Sequence, residues 1–435
     1  MFDLPKYGDG IGLDRLAALL EVLGIDRARL KRRSVVVTGS NGKGSTAAFA
    51  ASIGRAAGLR TGLFTSPHLF RFNERFRIDG TEINDATLAA LVARVSAAIA
   101  TLPAARFGAF EAQFALACLH FQARDCAFMV FEAGIGGRFD PVRLVAADVT
   151  CVTSLDLEHT ALLGDTLQAI ASDKSDACAD GGCIIYGENC RALKSYLMDY
   201  NAPRGVRSLF VRDDIGLGNV TRRGARQSFD WHCHGETLPG LEIALAGDFQ
   251  INNAGVAAGL FRLWCDTARP ALDPAQRDGA IRVGLRETRW PGRLEVIGDD
   301  PFTVVDVGHT PDGVTQALKG LRDAYGPDDW LLVLGVSRDK DIAAIAATLA
   351  PGFATIVCTS AHHKGADADT VARAARVANP TADIRCAPTI ADAVALSRSL
   401  AASSGRRIYI AGGLFVAIEY AQVTRGGDIA DLSFF

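Results

Sequence analysis

The chain has 435 residues, 49% of them hydrophobic and 22% charged, with a formal net charge of -3. That length accommodates two domains, and the near-neutral charge gives no electrostatic case for wrapping nucleic acid or for a polybasic membrane patch. The apolar runs fall short of a membrane span, and MFDLPKYGDG lacks the basic-then-apolar order of a signal peptide, so a cytoplasmic location is expected.

In chain order, SVVVTG predicts a strand that ends on glycine and leads into a helix over Ser45–Gly58. RTGLFTS predicts the next strand, and Asp85–Leu102 and Phe110–Ala123 read as helices. FMVFEAG and DVTCVTSL then have the continuous apolar character of buried parallel strands. This β-α-β rhythm belongs to a doubly wound sheet. From Cys183 to Leu245 the text turns irregular, with short strand-like pieces, and GDFQINNAGVAAGLFRLW reads as a helix that includes Gly255 and Gly259. ETRWPGRLEVIGDDP marks a boundary of proline, glycine and charge. Beyond it FTVVDV, WLLVLGV, TIVCTS, DIRCAP and RRIYIAG predict five strands with Ala- and Leu-rich helical spacers. The expectation is two α/β domains, 1–290 and 291–435, with a cleft between them. Ten scattered cysteines beside apolar neighbours read as buried reduced thiols; neither the Cys178, Cys183, Cys190 group nor WHCHG has a paired zinc-ligand spacing.

The stretch VVVTGSNGKGST, Val35–Thr46, carries the chemistry. A strand that ends in glycines and opens a helix gathers backbone N–H groups and the positive end of the helix dipole at one point. Gly39, Gly42 and Gly44 let the backbone approach phosphate oxygens, Asn41 and Thr46 complete the loop, Lys43 reaches the β and γ phosphates, and Ser45 offers a hydroxyl to Mg²⁺. A glycine separates Lys43 from Ser45, a departure from the general nucleotide loop.

That variant resembles the loop of the folylpolyglutamate synthases and related muramyl peptide ligases. Later segments resemble the folylpolyglutamate/dihydrofolate synthase signature in order: TSPHLFRFNERFRIDG, GAFEAQFALACLHF, FEAGIGGRFD, TSLDLEHTALLGDTLQAIASDKSDA, GDFQINNAGVAA, WPGRLEVI and VVDVGHTPDGV. The resemblance implies a P-loop-containing, Mur-ligase-type domain with a mostly parallel sheet, followed by a smaller Rossmann-like α/β domain. It implies an ATP- and Mg²⁺-dependent amide ligase that activates a carboxylate as an acyl phosphate and joins it to an amino acid, glutamate first, on a folate- or pteroate-like acceptor. Ser45, Ser66 and Glu132 are implied around one Mg²⁺, and Glu132 with His159 near a second, supported by a Lys174 carbamylated by CO₂. Asn253 is implied near the adenine, Arg293 near the phosphates and Asp306 near the ribose, with His309 also at the nucleotide. A monomer is expected.

Read alone, Lys174 between Asp173 and Asp176 is a lysine on a solvated helix face, and His159 beside Glu158 a partly buried hydrogen-bonded histidine. Arg293 alone is a linker arginine and His309 a strand-end histidine. DVGHTPDG is closer to the muramyl ligase pattern than to the folate one, and TSAHHKGAD stands where the folate enzymes have an Arg-Ala pair, so His362, His363 and Lys364 are either a carboxylate clamp or a polar loop. Three alternatives stand beside the folate reading: a Mur-type ligase of another acid and amino acid, a nucleotide-binding scaffold without chemistry, and a simple P-loop kinase or ATPase.

Overall fold

The computed structural model describes residues 4–5, 8, 13–102, 106–268, 270 and 272–434. Its first sheet has eight strands: β1 (Ser34–Thr38), β2 (Thr61–Phe64), β3 (Phe76–Ile78), β4 (Thr81–Glu82), β5 (Phe128–Glu132), β6 (Val149–Val152), β7 (Cys183–Tyr186) and β8 (Arg207–Phe210). Their spatial order is β4-β3-β2-β5-β1-β6-β7-β8. The pairings β2-β5-β1-β6-β7-β8 are parallel, and β3 and β4 form an antiparallel edge.

Strand β1 lies near the middle of this sheet with helices on both faces, which is why it reads as an unbroken apolar run. Its side chains alternate: Val35 and Val37 join Phe49 and Ile53 of the helix Lys43–Ala56, while Val36 joins Phe64, Phe114 and Phe131 on the other face. The register sets Val37 beside Glu132, so β1 and β5 end together. Ligand sites of such sheets lie beyond the carboxyl ends of the strands. Here those ends lead into Gly39–Gly42, Thr65–Ser66, Ala133–Gly137 and Thr153–His159.

The region expected to be irregular holds a three-stranded antiparallel meander, β9 (Ile215–Arg223), β10 (Arg226–Cys233) and β11 (Glu236–Ile243). RQSFDWHC alternates after all: Gln227, Phe229, Trp231 and Cys233 are buried, with polar residues between them. His234 and Gly235, both at positive φ (48° and 82°), make the two-residue turn into β11. The meander lies on the helix Asp248–Ala268, where the Trp231 indole donates to the Gly255 carbonyl at 3.1 Å. Gly255 admits Leu217, since a Cβ there would come within 2.6 Å of a leucine methyl.

The second α/β unit contains β12 (Glu295–Asp299), β13 (Phe302–Val305), β14 (Trp330–Leu334), β15 (Thr355–Thr359), β16 (Asp383–Ala387) and β17 (Arg407–Ala411). The order is β12-β13-β17-β14-β15-β16, parallel except for β12. The five strands expected after the linker are β13 to β17. All ten cysteines are free, eight of them buried. No helix among the described residues is long and apolar enough to cross a membrane.

Replacing Trp231 with alanine removes the largest side chain between meander and helix. The loss of burial and the cavity left behind should cost about 3–5 kcal/mol in chemical denaturation; a cost below ~1 kcal/mol would mean that the meander does not rest on this contact.

Candidate active site

The loop after β1 is built against β6. Ser40 N–H donates to Ser154 O at 2.9 Å, Asn41 N–H donates to Ser154 Oγ at 2.8 Å, and Thr153 Oγ1 donates to Asn41 O at 2.6 Å. Gly42 caps the helix Lys43–Ala56 in a left-handed conformation, φ 86°, and a Cβ there would sit 2.5 Å from Asn253 Oδ1. Asn253 Nδ2 donates to Gln250 Oε1 at 3.0 Å, and Gln250 Nε2 donates to Ser45 Oγ at 3.2 Å. The helix Asp248–Ala268 thus steadies the loop from behind. Asn253 therefore lies beneath the loop itself, at Gly42.

Lys43 Nζ donates to Gly39 O at 2.9 Å and to Ser40 O at 3.0 Å. Lys174 Nζ donates to the same Gly39 O at 3.1 Å and to Glu158 Oε1 at 2.8 Å. Lys174 is 1% exposed, so the solvated-face reading of this lysine is wrong: its helix, Leu167–Ser175, turns it inward beneath the loop. Burial pulls its ammonium below its ordinary range against the opposing pull of Glu158. Burial also disfavours the Glu158 carboxylate, but Lys43 and Lys174 outweigh it and hold the carboxyl down at about 2. His159 follows at φ 47°, exposed at the start of the short helix Thr160–Leu163. Asp173 accepts from Gly137 N–H at 2.8 Å, binding the glycine-rich loop after β5 to the lysine helix.

Across the loop, Ser66 N–H donates to Glu132 Oε2 at 2.9 Å. Burial pushes the Glu132 carboxyl up to about 7, opposed by Lys43, the Ser66 N–H, Arg293 and Arg75. Arg75 is itself buried and donates from Nε to His68 Nδ1 at 2.8 Å and from Nη1 to Gln113 Oε1 at 2.9 Å. One cleft is lined by Gly44, Ser66 and Glu132 on one side and by Trp290, Arg293 and His309 on the other. The carboxyl ends of both parallel sheets therefore face one space. Asn41 also reaches across, with 3.5 Å contacts to Thr310 Oγ1 and Asp312 Oδ2 at the start of the helix Pro311–Tyr325.

Asp306 sits behind this wall. Its carboxylate accepts from Leu294 N–H at 3.1 Å and Gly308 N–H at 2.7 Å, tying the linker to the end of β13. In the polar loop, Glu419 accepts from the backbone N–H groups of His362 and His363 at 2.7 and 2.9 Å, and the His363 ring packs against Phe415 and Phe434.

The donor set suits a hard cation and a polyphosphate. Ser45, Ser66 and Glu132 offer oxygen atoms, and Thr46 Oγ1 is buried with no hydrogen-bond partner among the described residues. No group of three or more His, Cys, Asp or Glu side chains that could hold a metal occurs among the described residues, so protein carboxylates and imidazole alone do not make the site. Gln250 and Trp290 escaped the reading of the sequence. Gln250 was discoverable from its i, i+3 spacing to Asn253 on one helix face.

Residues 292–414 match the family model for the Mur ligase, glutamate ligase domain. The folylpolyglutamate synthase of Lacticaseibacillus casei is 34% identical over 357 residues, 81% of this chain and 81% of that protein. The chain belongs to the folylpolyglutamate synthase family. Its members are ATP-dependent ligases, and this chain is one of them. A probable bifunctional folylpolyglutamate synthase/dihydropteroate synthase of Halobacterium salinarum is 35% identical over 433 residues; this chain spans about half the length of that relative, 50%, and 96% of its own. A solved FPGS-AMPPCP-folate complex superposes with a TM-score of 0.83 at 30% identity, covering 97% of each chain.

Glu158→Gln strips the buried Lys174 of its counter-ion and should cost about 3 kcal/mol at neutral pH. The Glu158 carboxyl is lowered from an ordinary 4.5 to about 2, so its contribution is full above pH 4.5 and fades as pH falls toward 2. Denaturation against pH should therefore show wild type and variant converging in acid; a constant gap down to pH 2 would contradict the pairing.

Proposed function

We propose that this chain uses ATP to join an amino acid, glutamate first, to the carboxylate of a folate- or pteroate-like acid. The observation that carries the reading is the single cleft in which the phosphate loop, Ser66, Glu132 and Arg293 face one another between two sheets. Family membership and the folate held by the solved relative support the choice of acceptor. The catalytic division falls near 290/291, with the phosphate loop on one side and the ligase domain on the other.

An oxygen of the acid's carboxylate attacks the terminal phosphorus of ATP, the bond to ADP breaks, and an acyl phosphate forms. The amine of the incoming amino acid then attacks the acyl carbon, phosphate leaves, and the nitrogen loses a proton. Both early partners are anions, so the barrier is chiefly electrostatic. Lys43 leaves the carbonyls of Gly39 and Ser40 for the phosphates, and the helix N-terminus adds its N–H groups. Arg293 adds a second cation from the linker, Asn253 steadies the phosphate loop from beneath Gly42 rather than reaching the adenine, and His309 lines the same wall. Asp306 serves the ribose by fixing the strand end beside it. Ser45, Ser66 and Glu132 would hold one Mg²⁺, and Glu132 with His159 a second; bound Mg²⁺ supplies charge neutralisation between carboxylate and phosphate.

As an ammonium Lys174 cannot ligate a cation. Addition of CO₂ to its neutral amine, with loss of a proton, would make a carboxylate that supports the second ion, and the burial that disfavours the ammonium favours the amine this step needs. The enzyme is assigned to the cytoplasm as a monomer acting on small molecules.

Release of ADP and phosphate, followed with ATP, Mg²⁺, folate or dihydropteroate and single amino acids, tests the reading. Turnover should require both acid and amino acid, and Lys43→Ala should lower it by about 10²–10³-fold. Turnover with neither partner would make the chain an ATPase; nucleotide binding without turnover on any pair would make it a scaffold.

A further inference from the structure

The chain contains four tryptophans. A half-buried indole can keep its N–H open to the cleft, whereas buried indoles ordinarily place theirs on an acceptor. Three do so here: Trp231 donates to Gly255 O at 3.1 Å, Trp264 to Arg32 O at 3.1 Å and Trp330 to Gly326 O at 2.9 Å. The fourth, Trp290, is half-buried in the cleft wall, and its Nε1 donates to no described residue.

The position of that N–H is fixed from two sides. The face of the ring carries the Arg77 guanidinium, 5.3 Å from the centroid, and Arg77 is in turn within 3.5 Å of Glu82. The edge of the ring rests on Gly44, where a Cβ would come within 3.1 Å of Nε1 and 3.3 Å of Cζ2. A Cβ between Lys43 and Ser45 would crowd the indole, which would have to give by a few tenths of an ångström. The N–H therefore sits beside the residues that receive the phosphates, in the cleft shared with Ser66, Glu132 and Arg293.

We propose that the Trp290 indole N–H is a substrate-binding donor for an anionic oxygen of the reacting pair, and that Gly44 gives the ring edge room beside the loop. The proposal rests on the ligase reading above for its reaction but not for its binding step. Two sources supply such an oxygen, the terminal phosphate of the nucleotide and the carboxylate of the acid. A ring held only for packing would accept phenylalanine; a donor would not.

The test compares wild type, Trp290→Phe and Trp290→His, the last retaining a ring N–H, with thermal melts confirming that each folds. Intrinsic fluorescence is titrated with a non-hydrolysable ATP analogue, then with folate added. A change in emission with the analogue alone, absent in Trp290→Phe, assigns the donor to the phosphate; a change that needs folate assigns it to the carboxylate. Trp290→Phe should lower kcat/KM by about 10- to 100-fold at an unchanged melting temperature, with partial recovery in Trp290→His. Wild-type kcat/KM in Trp290→Phe, or emission indifferent to both ligands, overturns the proposal. Absence of product in the wild type would count against the ligase reading alone, and the fluorescence arm would still decide the role of Trp290.

Discussion

Two lysine ammonium groups, Lys43 and Lys174, converge on the carbonyl oxygen of Gly39, and one carboxylate, Glu158, answers both. With Lys174 as an uncarbamylated ammonium, two positive charges against one negative leave a single positive excess at the mouth of a helix whose own N-terminus is positive. Like charges held this close repel, so the arrangement is most comfortable when another anion arrives. A polyphosphate meets that demand. Lys43 bonds to loop carbonyls, whereas Lys174 is enclosed and paired with Glu158. The loop is thus a charged fixture suited to an anion.

The rest of the architecture serves that fixture. Parallel pairing brings the ends of β1, β2, β5 and β6 to one edge, so Ser66 and Glu132 reach the loop without long connections. Behind it, Gln250 and Asn253 run a short polar chain to Ser45 from the helix Asp248–Ala268. In front, the second sheet brings Arg293 and His309 to the opposite wall. Glu132 shows what this confinement does: burial raises its carboxyl toward neutrality while three cations and a backbone N–H draw it back.

Much of this was legible before any coordinates. The strand, left-handed glycine cap and helix of the loop after β1 stand out because glycines, lysine and hydroxyls follow an apolar run, and the five strands after the linker show as separate apolar runs. The meander shows in the sequence only as short strand-like pieces because Arg, Asp and His interrupt its apolar text, although Gln227, Phe229, Trp231 and Cys233 alternate in period two. The burial of Lys174 was invisible for a different reason. Its neighbours Asp173 and Asp176 look like a solvated face, but Asp173 binds the backbone of Gly137, and Asp176 pairs with Arg138 and Arg204. A carboxylate used to fasten a loop cannot be told in sequence from one facing water. Trp290 was hidden likewise, since its meaning lies in what it touches and in the partner it lacks.

The carboxylate of Asp306 has a mechanical consequence. It grips Leu294 from the linker and Gly308 beyond β13, while Val307 N–H donates to Gly292 O at 3.0 Å, so residues 292–294 travel with the smaller sheet. Any swivel between the two bodies must then act upstream, through Arg289, Trp290 and Pro291. That joint lies beside the loop after β1, so a turn of one body against the other would shift the Trp290 indole along Gly44.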